Sequence, residues 1–366
     1  MASNSFGKIF RITTWGESHG KGYGVVIDGC PAGLPLAAED INQELAMRQP
    51  GLTPYTTPRG EKDAAEIYSG IFEGKTTGAP ISIVVLNKDT DSSKYEPIKD
   101  LLRPGHANYT YLEKYGIFDY RGGGRSSARE TLCRVAAGAV AKKILQHFQI
   151  ELAAYIYEIG GISITKANST DLSRLKQKTR KSPIFCPDEP SAQKMMSAIE
   201  QAKKEGDSLG GIIELVSSSL PVGLGDPVYE KLEANLAKAM LSIPATKGFE
   251  MGTGFSAAKK KGSENNDAFD VDKNGRIITK TNNAGGTLGG ISSGMPLHFR
   301  VAFKPTSSIT IEQETVDIHG NRQMFKIPEG SRHDPCVTIR AVPIVEAMTA
   351  LVLADAVLLN FSAKLS

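Results

Sequence analysis

Residues 121–131 read RGGGRSSARET. The three glycines let the backbone come close to a ligand, and Arg121, Arg125 and Arg129 place three cations within nine residues. Ser126 and Ser127 stand where a helix N-cap belongs, and ARETLCRVAAGAVAKKILQH then carries apolar side chains at three- and four-residue spacing. A glycine loop thus opens a helix whose unpaired N–H groups and dipole add to the arginines in attracting phosphate or carboxylate. An RGG-type nucleic-acid segment or a basic surface turn competes with this reading. Such segments repeat in disordered sequence, whereas this one occurs once and begins a helix.

Further helices are expected at 38–47, 190–205 and 227–241, with a long apolar one from Val337 to Asn360. Strand patterns occupy 7–14, 24–29, 151–165, 211–219 and 295–303. The polar stretch 166–187 reads as a peripheral loop, and 52–66 as a long loop that orders over a ligand. GIFEGKTTGAPISIVVL (70–86) narrowly misses a nucleotide-hydrolase phosphate loop. Ser69 stands where that motif needs glycine, and Gly70 is one position too close, so a strand-turn-strand is expected. Strands and helices do not alternate regularly, and no linker or repeat divides the chain; the expectation is one α+β domain over residues 1–366.

Composition bounds the function. Lys plus Arg is 43 against 40 for Asp plus Glu, and a net charge of +3 is too small for general adhesion to nucleic acid or membrane. The basic character is local, with Arg103, Arg121, Arg125, Arg129 and Arg134 falling in under a tenth of the chain. Four scattered cysteines give no metal or disulfide pattern and fit a reducing cytoplasm; no signal or membrane span is expected.

Three of the six histidines, His19 in GESHGKG, His106 in RPGH and His333 in RHDP, lie in loops flanked by glycine, proline or aspartate. Each is an acid–base candidate, or else a packing or surface residue. Metal binding is disfavoured by the basic surroundings and the absence of ligand spacing. Asp334 is either a base or a salt-bridge partner. A second glycine run, Gly285 to Gly294, is either a flat-ligand contact or a set of tight turns. Lys304 to Ser308 brings one lysine and three hydroxyls together. Many arginines with acid–base histidines suit elimination or transfer of a phosphate.

Five motifs in order, GESHG (16–20), RPGHA (103–107), RGGGRSSARET (121–131), KPTSS (304–308) and RHDP (332–335), make the chain resemble the chorismate synthase family from about Phe6 to Leu358. The resemblance implies a homotetrameric lyase whose subunit sandwiches long helices between antiparallel β-sheets. It implies trans 1,4-elimination of phosphate from 5-enolpyruvylshikimate 3-phosphate, with reduced FMN and without net redox change. By resemblance His106 protonates the departing phosphate, His19 serves the reduced flavin, and Asp334 acts in removing the C6 proton. Flavin contacts carried over are Arg125, Ser126, Ser127, Pro244, Ala245, Gly289, Lys304, Pro305, Thr306, Ser307, Ser308 and Arg332. Arg48, Arg103 and Arg129 would face the substrate's phosphate and carboxylates. The reductant is either NADPH used by the chain itself or an external flavin reductase, the latter favoured because nothing reads as a nicotinamide domain. Pro54, Asn108 and Pro244 depart from the family pattern. A non-catalytic binder of a phosphorylated ligand or RNA, and an FMN oxidoreductase, are the rival readings.

Overall fold

The computed structural model describes residues 3–49, 51, 53–57, 63–88, 93–165, 171–328 and 333–365. Two five-stranded sheets, antiparallel at every pairing, carry the architecture. Sheet I runs Ser5–Phe6, Arg11–Gly16, Gly22–Asp28, Ile81–Leu86 and Ala65–Ile67 in spatial order. Sheet II runs Thr246–Met251, Pro296–Phe303, Gly211–Ser219, Leu152–Ile159 and Ile162–Ser163. The helices are α1 (Ala38–Arg48), α2 (Asn108–Tyr115), α3 (Thr131–His147), α4 (Leu172–Lys181), α5 (Glu189–Glu205), α6 (Leu232–Leu241), the one-turn α7 (Gly262–Asn265) and α8 (Thr338–Asn360).

Between the sheets lies a helix layer. α3 packs on sheet I, α8 on sheet II, and the two pack on each other with α1 alongside. Alternation explains the sheets: in Pro296–Phe303, Leu297, Phe299, Val301 and Phe303 are buried while their neighbours are partly exposed. α8 needs no such alternation, because it is covered on nearly every side; its apolar window is long enough to cross a membrane, yet 89% of that window is buried inside the protein. Side chains from both sheets and the helices between them join one continuous core.

The closest approach in the helix layer is between Gly138 of α3 and Ala347 of α8. A Cβ at Gly138 would fall 2.7 Å from the Ala347 Cα, so only glycine lets these helices meet at this distance. One sequence expectation fails here. Within 166–187, read as a loop, Leu172–Lys181 is a helix capped by Asp171, whose Oδ1 accepts from the Arg174 N–H at 3.2 Å. It packs on sheet II through a stripe of few residues, with Leu175 and Thr179 buried, and its many lysines and arginines hide that stripe from composition. Helix 227–241 also starts later than expected, at Leu232.

Candidate active site

The glycine loop leads into α3 through two short 3₁₀ turns, Gly124–Ser126 and Ala128–Glu130, with the Ser127 side chain accepting from the Arg129 N–H. Two histidines stand against this loop. Gly122 has φ +63, and a Cβ there would strike the His19 ring and come 2.8 Å from Ser18 Oγ; a Cβ on Gly123 would lie 3.7 Å from His106 Cε1. The glycines are thus the space in which the histidines sit. Ser18 ties the GESHG turn down, its N–H donating to Gly124 O at 3.4 Å and its hydroxyl to Arg121 O at 3.2 Å.

On the other side of His106, Lys304 Nζ donates to Gly105 O at 2.6 Å and Arg103 Nη2 to Ser308 Oγ at 2.7 Å, joining the RPGHA and KPTSS loops. Lys304 N in turn donates to Ala245 O at 2.9 Å, which brings the Pro244–Ala245 turn, with Ala245 at φ +71, against the same loop. Burial, with Arg103, Lys304 and His333 nearby, pushes His106 down to about 3. His333 is pushed down to about 4 by burial and Arg103, partly opposed by Asp334. Both imidazoles are therefore neutral at pH 7.

Asp334 is held at both oxygens: Oδ1 accepts from the Thr57 N–H at 2.9 Å and Oδ2 from Arg340 Nη1 at 2.8 Å. Arg48, only 2% exposed, lies beneath. Its Nε donates to Thr131 Oγ1 at 2.9 Å, Nη2 to Ala128 O at 3.0 Å, and Nη1 pairs with the fully buried Asp63 at 3.4 Å. Arg129 Nη2 pairs with the other oxygen of Asp63 at 2.8 Å. Arg125 Nη2 donates to the Thr14 carbonyl at 3.0 Å and to its hydroxyl. Arg121 is different: it forks onto Asp119 at 2.9 and 3.1 Å and is half exposed, so it belongs to the rim.

A cavity of about 150 Å³ is lined by Arg48, Ser127, Arg129, Pro244, Asp334 and Arg340. Next to it, sharing Ser127 and Pro244, is one of about 330 Å³ whose walls include Arg125, Ser126, Tyr111 and Arg134. Buried polar atoms without a protein partner include His106 Nδ1, Arg125 Nη1, Thr306 Oγ1 and Thr57 Oγ1. Unpaired buried polar groups are costly; donors and acceptors left open on these loops fit a polar, anionic ligand.

His106, Arg103, Lys304, Ser307, Ser308, Ser126, Ser127, Pro244, Ala245, Arg125, Arg129 and Asp334 are thus carried on loops that touch one another, with Arg48 joining them from the end of α1 and His19 against the glycine loop at Gly122. Pro305 packs on Gly210, and Thr306 O accepts from Ser208 Oγ at 2.7 Å. Gly289 stands apart, in the Thr287–Leu288/Ile291–Ser292 hairpin pinned by Leu232 N donating to Gly290 O at 2.8 Å, with open space around it. Arg332 lies outside the described residues. Among the departures, Pro54 is exposed, whereas Asn108 accepts from the Arg103 N–H at 3.3 Å and donates to Leu101 O at 3.0 Å, the second being a bond an aspartate could not give. Asp63, Asn87 and Arg340 were not legible as site residues. Asp63 sits in a charged run that looks solvated, and only the fold reveals that it pairs two arginines.

A neutral histidine enclosed by cations, a carboxylate gripped by arginine and a glycine loop at a helix entrance define an enzyme that handles an anion with acid–base chemistry. The family model for chorismate synthase matches residues 10–358. Chorismate synthases of Protochlamydia amoebophila and Methanococcoides burtonii are 59% and 54% identical, covering 98% of both chains in the first case and 97% and 96% in the second. A crystal structure of chorismate synthase, 34% identical, superposes with a TM-score of 0.79 over 98% of this chain and 94% of its own. The chain belongs to the chorismate synthase family, carbon–oxygen lyases of aromatic amino acid biosynthesis that act on a small molecule and imply the use of a reduced flavin.

Proposed function

We propose that this protein eliminates phosphate from 5-enolpyruvylshikimate 3-phosphate to give chorismate, in a single catalytic domain spanning residues 1–366, with reduced FMN bound beside the substrate. The observation that carries the assignment of roles is His106, buried beside the glycine loop with Arg103 and Lys304 around it and its Nδ1 unpaired. In this reading Arg48, Arg103 and Arg129 define the anion pocket and His106 gives its proton to the departing phosphate. Asp334, oriented by Arg340 and the Thr57 N–H, serves the removal of the C6 proton, and His19 attends the flavin from across Gly122. Arg125, Ser126, Ser127, Pro244, Ala245, Lys304 to Ser308, with Gly289 and Arg332, would hold the cofactor. Reduced FMN, when bound, lends electron density as the phosphate leaves.

An external flavin reductase supplies the reduced cofactor in this proposal, since the described residues share one core without a separate nicotinamide unit. Bleaching of FMN by the pure protein with NADPH under anaerobic conditions would assign that step to the chain itself. Exposed Val222, Val228 and Tyr229, close together in sequence, support assembly, and we expect the homotetramer on light scattering. Buried thiols at all four cysteines suit the reducing cytoplasm.

The deciding experiment mixes protein, chemically reduced FMN and 5-enolpyruvylshikimate 3-phosphate without oxygen and follows both products. Equal release of phosphate and chorismate, abolished with oxidised FMN, is expected; flavin binding without either product would overturn the reading. His106→Ala should slow turnover by about 10²- to 10⁴-fold, as removal of a positioned acid does. A rate near wild type would remove His106 from its role.

A further inference from the structure

We propose that Asn87 is a positioning residue that couples the turn carrying His19 to the guanidinium of Arg129. Asn87 follows directly on the Ile81–Leu86 strand of sheet I, so its backbone is anchored. Its side-chain nitrogen faces three carbonyls of one turn, Glu17 O at 3.0 Å, Ser18 O at 3.3 Å and Gly20 O at 2.9 Å, so that its two hydrogens serve three acceptors with one shared. Its side-chain oxygen accepts from Arg129 Nε at 2.9 Å. Three acceptors on one atom and a guanidinium on the other leave no ambiguity about which way the amide faces. Its own N–H donates to Lys21 O at 3.1 Å and closes the same turn.

The arrangement has a chemical logic. Arg129 is aimed by Asp63 on one edge and by Asn87 on another, and whatever displaces Arg129 therefore pulls on the amide that shapes residues 17–20. Asparagine alone satisfies both sides. An aspartate keeps the acceptor for Arg129 but turns a carboxylate toward three carbonyl oxygens, and an alanine loses both contacts. The two halves of the amide can thus be tested separately.

The kinetic arm rests on the proposed reaction. Asn87→Asp is expected to lower kcat by about 10- to 100-fold, the cost of a misplaced catalytic group, with KM within about twofold because Arg129 is still held. Asn87→Ala should lower kcat similarly and raise KM about fivefold or more. A kcat near wild type in Asn87→Asp, or an equal rise of KM in both variants, would overturn the proposal. A second arm needs neither turnover nor an intact Asn87 variant. Arg129→Lys has no Nε donor, and hydrogen–deuterium exchange of residues 17–21 in it should speed up about fivefold or more as the amide loses its orientation. Unchanged exchange there would refute the coupling even if the protein proved to catalyse another reaction, whereas absent turnover with faster exchange would indict only the assigned reaction.

Discussion

A general acid must carry a proton, yet His106 in this structure is neutral at pH 7, pushed to about 3 by burial and by Arg103, Lys304 and His333. Substrate resolves the conflict. A phosphate dianion arriving within about 4–6 Å favours the charged imidazole and offsets the cations around it. Binding of the phosphorylated substrate at pH 7 should therefore take up about one proton, seen by calorimetry as a heat that varies with the ionisation enthalpy of the buffer. A buffer-independent heat would mean that the proton comes from elsewhere. The free protein has a matching signature. In the unfolded chain both His106 and His333 titrate near 6.5, and in the folded one near 3 and 4. Below about 6.5 the unfolded state binds more protons, so the stability these groups contribute is intact above that pH and is lost as pH falls toward 4. Together they set a limiting slope of about 2.7 kcal/mol per pH unit, and His106→Gln should remove about half of it in urea titrations between pH 4.5 and 6.

At the scale of elements, helix packing turns on a single missing side chain. Gly138→Val should destabilise the protein by about 1–3 kcal/mol, since α3 and α8 must part to admit the new atoms; a lowered urea midpoint at unchanged slope would report it. α3, α5 and α8 were legible because each supplies a long apolar face or, for α8, an apolar surface on almost every side. α4 was not, because five basic residues among ten make the segment too polar to stand out, although its two buried side chains share one face. The same contrast governs the site. His19, His106, Lys304 and the glycine loop announce themselves by local chemistry, whereas Asp63, Asn87 and Arg340 look like ordinary surface residues until folding brings Arg48, Arg129 and Asp334 to them. The burial of Arg48, expected by resemblance to face the substrate, has the same cause: folding brings Asp63 and Thr131 to it.

For the molecule as a whole, the two sheets share no strand among the described residues, and α1, α3 and α8 pack between them. α8 lies against α1, α3, α6 and two strands of sheet II, which makes it the common wall of the interior. A chain ended after residue 336 should bind a hydrophobic dye and precipitate; a soluble product with a cooperative unfolding transition would show that the sheets close without it. The position of α8 also has a consequence for biosynthesis. Every strand of both sheets precedes it in the chain, and at about 5–20 residues per second roughly 2–7 s of translation separate Phe303, the end of the last of those strands, from Thr338. Throughout that interval the face of sheet II that α8 covers, and the side of α3 that meets α8, stay apolar and bare, and the nascent chain's need for chaperones peaks just before α8 leaves the ribosome.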